Sequence, residues 1–221
     1  MIWTIPNFLT IFRLIAAPGV ALAYVFLLRP YADFLALGLF ILASLTDYLD
    51  GYLARKWNQT TKLGTMLDPI ADKAMVVIAL VVIVGVGGMD PLIVLPTAII
   101  MFREVFVSGL REFLGDTAGT LKVTKLAKWK TTVQMVAIAA LFAFALFQSL
   151  TGLAMDGMDP AFAGQILAGV EPDLGGLKLR YDLMVWCWWG GVVLLWIAAV
   201  LTAITGYDYF RKALPYLREP A

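Results

Sequence analysis

Apolar residues run in long blocks along this chain, and polar residues collect where the blocks end. A helix that crosses the hydrocarbon core of a bilayer needs about 20 mostly apolar residues. Six blocks suit that role: 5–28, 32–45, 69–87, 91–102, 131–155 and 183–207. The first is interrupted by Arg13 and Pro18. The helical pattern of the second runs on through Asp47 to Arg55, and the fourth continues as a polar helix to about Leu114. The stretch 156–182 is rich in Gly and Asp and reads as an outer loop. The pattern predicts an all-α bundle of six transmembrane helices, a single membrane domain over 1–221 with no internal repeat.

Composition agrees with this reading and narrows the chemistry. Hydrophobic residues make up 61% and charged residues 15%, against roughly 45–50% and 25% in soluble domains. The net charge of +1 names no partner, and no nucleic acid is expected. There is no His, and Cys187 is the sole cysteine, so an internal disulfide is impossible and zinc ligation by Cys and His is set aside. The opening MIWTIPNFLT lacks a basic n-region and a small-residue cleavage site, and reads as part of the mature protein.

Loop charges orient the bundle. Arg55, Lys56, Lys62, Lys122, Lys125, Lys128, Lys130, Arg211, Lys212 and Arg218 follow the second and fourth blocks or lie in the C-terminal tail. The other side carries Arg29, Lys178 and Arg180, with many carboxylates. The positive-inside rule therefore places both termini and the segment 47–72 on the cytoplasmic side.

That segment holds the costliest residues of the chain. Asp47 and Asp50 stand three apart, and Asp68 and Asp72 four apart, spacings that put each pair on one helix face. The second block runs inward and ends at its pair; the third runs outward and starts at its pair. A short connection makes the two helices antiparallel neighbours, so all four carboxylates fall at one depth near the cytoplasmic surface. Two like charges about 4 Å apart repel by about 4 kcal/mol at an effective dielectric near 20. Four together need protons or metal, and an all-oxygen set suits Mg²⁺, Mn²⁺ or Ca²⁺. Gly51, one turn after Asp47, would let a phosphate approach the helix backbone. Arg55, a further turn on, can pair bidentately with phosphate. Thr61 and Gly64 are expected in the connecting loop, where a nucleotide could be held. If three carboxylates hold metal, Asp72 can take a proton from an attacking hydroxyl. The competing readings are a polar bundle contact or a cation pathway. A carrier would place its carboxylates near mid-bilayer, and these lie at one face.

Asp47-x2-Asp50-Gly51-x2-Ala54-Arg55-x8-Gly64-x3-Asp68-x3-Asp72 resembles the signature of the CDP-alcohol phosphatidyltransferases, and all eight fixed positions match. The resemblance implies a homodimeric six-helix membrane enzyme, in a bacterial inner membrane, that moves a phosphatidyl group from CDP-diacylglycerol to an alcohol and releases CMP. It implies two divalent cations, Mg²⁺ or Mn²⁺, bound by Asp47, Asp50 and Asp68, with Asp72 as general base and further ligand. Gly51, Arg55 and Thr61 would contact the CDP moiety.

The acceptor is written elsewhere. Arg103 and Arg111 lie two turns apart in REVFVSGLRE, and Lys128 and Lys130 lie in AKWKTTVQ. Both segments reach the depth of the aspartates, and cations gathered there suit an alcohol that carries its own phosphate. PNFLTIFR, LDPIADK, RE…SGLRE and AKWKTTVQ together resemble the branch of the family that uses glycerol 3-phosphate, although Ala127 stands where glycine is expected. The resemblance implies that Arg103, Arg111 and Lys128 bind the acceptor phosphate. Other acceptors within the family (serine, an inositol phosphate, phosphatidylglycerol) are the alternatives. Asn7, Thr10 and Arg13 recur at a spacing of three and form a polar face on the first helix. By resemblance Asn7 and Thr10 contact the nucleotide; on the residues alone they equally cap and orient that helix.

Overall fold

Length and apolarity dictate the architecture. The computed structural model describes residues 4–57, 61–115 and 125–217; the side chains at 48–55 and 125–128 lie outside the described set. Among the described residues seven helices follow in order: α1 Ile5–Phe26, α2 Tyr31–Lys56, α3 Lys62–Val86, α4 Pro91–Leu114, α5 Lys125–Met155, α6 Pro160–Ala168 and α7 Leu177–Leu217. No strand occurs among the described residues. Among the described residues five helices (α1, α3, α4, α7 and the 129–155 portion of α5) are long and apolar enough to cross a membrane. The sixth expected span corresponds to α2, whose side chains are described only in part.

Helix starts follow local chemistry. Thr4, Thr61, Asp90 and Asp159 each accept a bond from a backbone N–H of the first turn of α1, α3, α4 and α6, satisfying donors that the helix itself cannot. Several boundaries differ from expectation: α5 starts at Lys125 and α7 runs Leu177–Leu217, beyond their apolar blocks, and two further differences have local causes. α3 begins at Lys62, well before Pro69, because the Thr61 cap starts it early and Pro69 falls inside it. The expected outer loop contains α6, started by Asp159 and Pro160 and ended by Gly169 in the left-handed conformation, φ 77°. Asp173 then accepts the backbone N–H groups of Leu177 at 2.8 Å and Lys178 at 2.9 Å at the start of α7. These bonds hold its carboxyl below the ordinary aspartate range.

The core is built from small residues. Ala16, Ala17, Ala36, Ala43, Ala79, Ala137, Ala198 and Ala199 are buried where α1, α2, α3, α5 and α7 meet, with Phe40, Leu80, Ile138, Phe142 and Leu195 filling the gaps. Small side chains let helix backbones approach closely, the usual basis of packing in lipid. Gly191 shows how closely α5 and α7 meet: a Cβ there would lie 2.8 Å from Leu141 Cδ2. Larger apolar side chains such as Phe8, Ile15, Leu22, Phe102 and Val105 are exposed instead. An apolar exterior over a small-residue core identifies an integral membrane protein.

One polar knot ties the bundle at the end remote from segment 47–72. Asp33 is fully buried at the start of α2. It accepts from Tyr24 Oη at 2.9 Å, Arg29 Nε at 3.0 Å and Ser149 Oγ at 2.5 Å. Arg29 also donates to the Ala145 carbonyl at 2.7 Å. The knot joins α1, α2 and α5. Asp33→Ala should strand these donors and cost about 2 kcal/mol, lowering the unfolding temperature of the detergent-solubilised protein by about 4–8 °C. Substrate KM values should stay unchanged, since the knot lies roughly 20 Å along α2 from Asp47.

Candidate active site

Three helices meet around one guanidinium. Arg13 lies in the middle of α1, and only 2% of its side chain is exposed. Its Nη1 donates to Oδ1 of Asp47 on α2 and to Oδ1 of Asp72 on α3. Its Nη2 lies 3.3 Å from Oδ1 of Asp68. The three carboxylates are about half exposed, at 47, 48 and 51%, so each has one side on the buried cation and one side open. The convergence expected of the two aspartate pairs is therefore present for three members. Asp50 has its side chain outside the described residues. α2 continues as a helix through Lys56, which preserves the three-residue spacing from Asp47.

The rest of the polar face of α1 holds α3 in register. Thr10 Oγ1 donates to Asp68 Oδ1 at 2.7 Å. Thr61 Oγ1 donates to Asn7 Oδ1 at 2.9 Å and accepts the Gly64 N–H at 3.0 Å. Asn7 and Thr10, which by resemblance contact the nucleotide, are each only 2% exposed and contact α3 and its cap through Asn7 Oδ1 with Thr61 and Thr10 Oγ1 with Asp68. Thr61 and Gly64 are not loop residues: Thr61 caps α3, and Gly64 is buried in its first turn. A Cβ on Gly64 would lie 2.7 Å from Asn7 Oδ1 and 3.3 Å from Thr61 Oγ1. The motif glycine thus makes room for the α1–α3 contact. Thr61 retains an outward side, on a shallow depression shared with Lys62, Thr65 and Met66. The side chains of Arg55 and Lys128 lie outside the described residues, and Gly51 is described only as part of α2.

Beside the aspartates a cavity of about 300 Å³ opens between α3, α4 and α5. Asp72 forms one wall. Lys73, Arg103, Arg111 and Lys130 supply cations, and Glu104 is the second carboxylate. Arg103 Nη1 pairs with Glu104 Oε1 at 3.0 Å, and Lys130 Nζ reaches the same oxygen. Lys73 Nζ bonds Ser108 Oγ at 2.6 Å. α7 positions both arginines from behind. The Arg111 guanidinium lies 5.3 Å from the Tyr209 ring centroid. Gly206 leaves space for the stem of Arg103, whose Cγ would lie 2.8 Å from an added Cβ. The expected pair of Arg103 and Arg111 is therefore brought together, on the same cavity as Asp72.

A family model for CDP-alcohol phosphatidyltransferase matches residues 3–164, which contain the aspartates and the cavity-lining residues of α3, α4 and α5. The chain belongs to the CDP-alcohol phosphatidyltransferase family. Among curated proteins similar to this phosphatidyltransferase, one from Cereibacter sphaeroides is 58% identical over 220 residues, covering 99% of both chains. Similar proteins from Haemophilus influenzae and Rickettsia bellii are 46% and 37% identical over 215 and 212 residues, covering 96% of this chain and 95% and 96% of their own. All three carry the name CDP-diacylglycerol–glycerol-3-phosphate 3-phosphatidyltransferase.

Phosphatidyltransferases of this family use divalent cations, and the site can be tested for fit. Among the described residues no three carboxylates form a ready-made metal cage; Arg13 stands between them. The donor chemistry nevertheless fits, since three anionic oxygens converge on one buried cation and each carboxylate keeps an open side. Hard oxygen donors of this kind suit Mg²⁺ or Mn²⁺.

The sequence did not single out Arg13 or Lys73 as site residues, whereas Lys130 was among the cations expected at the acceptor and Glu104 lay in the REVFVSGLRE segment expected there. The signal for Arg13 was a charge within an apolar helix, on the same face as Asn7 and Thr10. For the α1–α3 contact, Gly64→Ala should destabilise the protein by about 1–3 kcal/mol. In an Asn7→Ala background the same change should cost less, because the clashing Oδ1 is gone. Thermal unfolding of the two single variants and the double variant checks this.

Proposed function

We propose that this chain transfers the phosphatidyl group of CDP-diacylglycerol to glycerol 3-phosphate, giving phosphatidylglycerophosphate and CMP. The observation that carries the reading is the cavity that Asp72 lines together with Arg103, Arg111, Lys73 and Lys130. An acceptor with its own phosphate dianion fits four cations facing two carboxylates; an acceptor without one would leave them underused. The names of the similar proteins support the same acceptor.

In this reading the lipid donor keeps its acyl chains in the bilayer and brings its pyrophosphate to the aspartates. Gly51, Arg55 and Thr61 contact the CDP moiety, while Asn7 and Thr10 keep Thr61 and Asp68 in place. Asp47, Asp50, Asp68 and Asp72 would hold two divalent cations, Mg²⁺ or Mn²⁺, whose charge when bound would neutralise the pyrophosphate and the departing CMP. Arg103, Arg111 and Lys128 bind the acceptor phosphate, with Lys73 and Lys130 beside them. That anchoring directs the 1-hydroxyl of glycerol 3-phosphate toward Asp72. Asp72 takes the hydroxyl proton, the oxygen bonds to the β-phosphorus (the one attached to diacylglycerol), and the bond from that phosphorus to the CMP oxygen breaks. No enzyme nucleophile intervenes, so the displacement is single and in line. The protein has six spans with both termini and the site on the cytoplasmic side of a bacterial inner membrane, and it works as a homodimer.

Asp72→Asn should lower CMP release by about 10²–10⁴-fold while CDP-diacylglycerol binding survives; normal turnover would remove Asp72 as the base. Arg103→Ala and Arg111→Ala should raise the KM for glycerol 3-phosphate by about tenfold or more, the loss of a charge-assisted bond, and leave the KM for the lipid donor near its original value. A panel of acceptors, scored by CMP release, checks the substrate itself: faster release with serine or an inositol phosphate would overturn the assignment.

A further inference from the structure

Arg13 has no part in the chemistry proposed above, yet it touches three of the carboxylates on which that chemistry depends. Its guanidinium cannot lose its charge. With 2% of the side chain exposed, it has little water to screen it. Asp47 and Asp72 meet at the same nitrogen, Nη1, although they come from different helices. Each of the three uses its Oδ1 for this contact. A dication drawn to the same oxygens would stand within a few ångströms of a fixed positive charge, and the two would compete for the same lone pairs.

We propose that Arg13 is the resident counter-cation of the aspartate cluster, and that it holds the affinity for divalent cations down until the nucleotide lipid arrives. Without it the cluster would be a strongly acidic patch, open on one side and ready to capture any hard cation. With it three of the carboxylates are held together and aimed inward. The pyrophosphate then offers the guanidinium a bidentate partner, which frees carboxylate oxygens for metal. Metal and nucleotide binding are thereby linked, and each strengthens the other. The role is one of positioning: Arg13 acts through Asp47, Asp68 and Asp72. The inference rests on the metal-binding reading of those aspartates.

The test is Mn²⁺ binding to the purified full-length protein in detergent, followed by electron paramagnetic resonance without lipid substrate. Arg13→Gln should bind Mn²⁺ at least tenfold more tightly than the unaltered protein. Arg13→Lys, which keeps the charge, should stay within about threefold of it. A merely structural arginine would give the opposite result, since loosening the cluster weakens metal binding. Equal or weaker Mn²⁺ affinity in Arg13→Gln overturns the proposal. If that variant is not monodisperse, nitrogen-15 spectra of the unaltered protein decide. The Arg13 Nε–Hε signal, assigned by its absence in Arg13→Lys, should move on saturation with Mg²⁺ and CDP, and an unmoved signal overturns the proposal. Should the unaltered protein and Arg13→Gln both fail to bind Mn²⁺ even with CDP-diacylglycerol, the metal-binding reading falls and takes this inference with it. Binding in both at equal strength removes the role of Arg13 alone.

Discussion

Carboxylates gathered at the edge of a hydrocarbon layer need cations, and this fold is arranged to bring them one from inside the bundle. An ionised group in an apolar helix is costly unless it is paired. Arg13 on α1 and the aspartates of α2 and α3 answer that cost for each other. The remaining polar residues of α1 fall into place around this pairing. Thr10 secures Asp68, and Asn7 secures Thr61, the residue that starts α3. Gly64 is required because a methyl group would intrude on that contact. A signature that reads as a list of ligands is thus partly a set of instructions for docking α1 against α3.

A second group of helices carries the other half of the site. α7 packs against both α4 and α5, and Gly206 and Tyr209 shape the positions of Arg103 and Arg111. Glu104 draws Arg103 and Lys130 to one oxygen and limits how strongly the cavity would hold stray anions. Among the described residues only α3 belongs to both halves. Asp72 faces Arg13 on one side and the cationic cavity on the other, so a single turn of α3 joins the aspartate cluster to the place where an anionic acceptor would sit.

The parts legible in the sequence were those that follow from cost. Long apolar blocks gave the helices, and charges within or beside them gave the aspartates, Arg103 and Arg111. What could not be read depends on contacts distant in sequence or on short-range signals that compete. Arg13 was visible as an anomaly, but its partners lie 34, 55 and 59 positions away. Pro69 suggested the start of a helix, whereas Thr61 starts it a full two turns earlier. α6 is nine residues long, too short for its apolar pattern to stand out from the glycines around it. Lys130, expected among the cations near the acceptor, lines the cavity, but its partner Glu104 lies 26 positions away.

The two polar knots of the bundle explain why one is read as structure and the other as a site. They are near mirror images in charge. Asp33 is a buried anion surrounded by donors from α1, the α1–α2 connection and α5. Arg13 is a buried cation surrounded by acceptors from α2 and α3. Each costs little where it stands because it is paired, and both tie α1 to α2. Around Asp33, Tyr24 and Ser149 are part-buried and give their hydroxyls to it, so no other ligand could gain much by entering. Around Arg13 the partners are carboxylates with half their surface open, so a further ligand can reach that open side without unfolding anything. Burial of the central charge is common to both knots. Exposure of its partners is what differs, and that exposure makes the Arg13 knot capable of exchange.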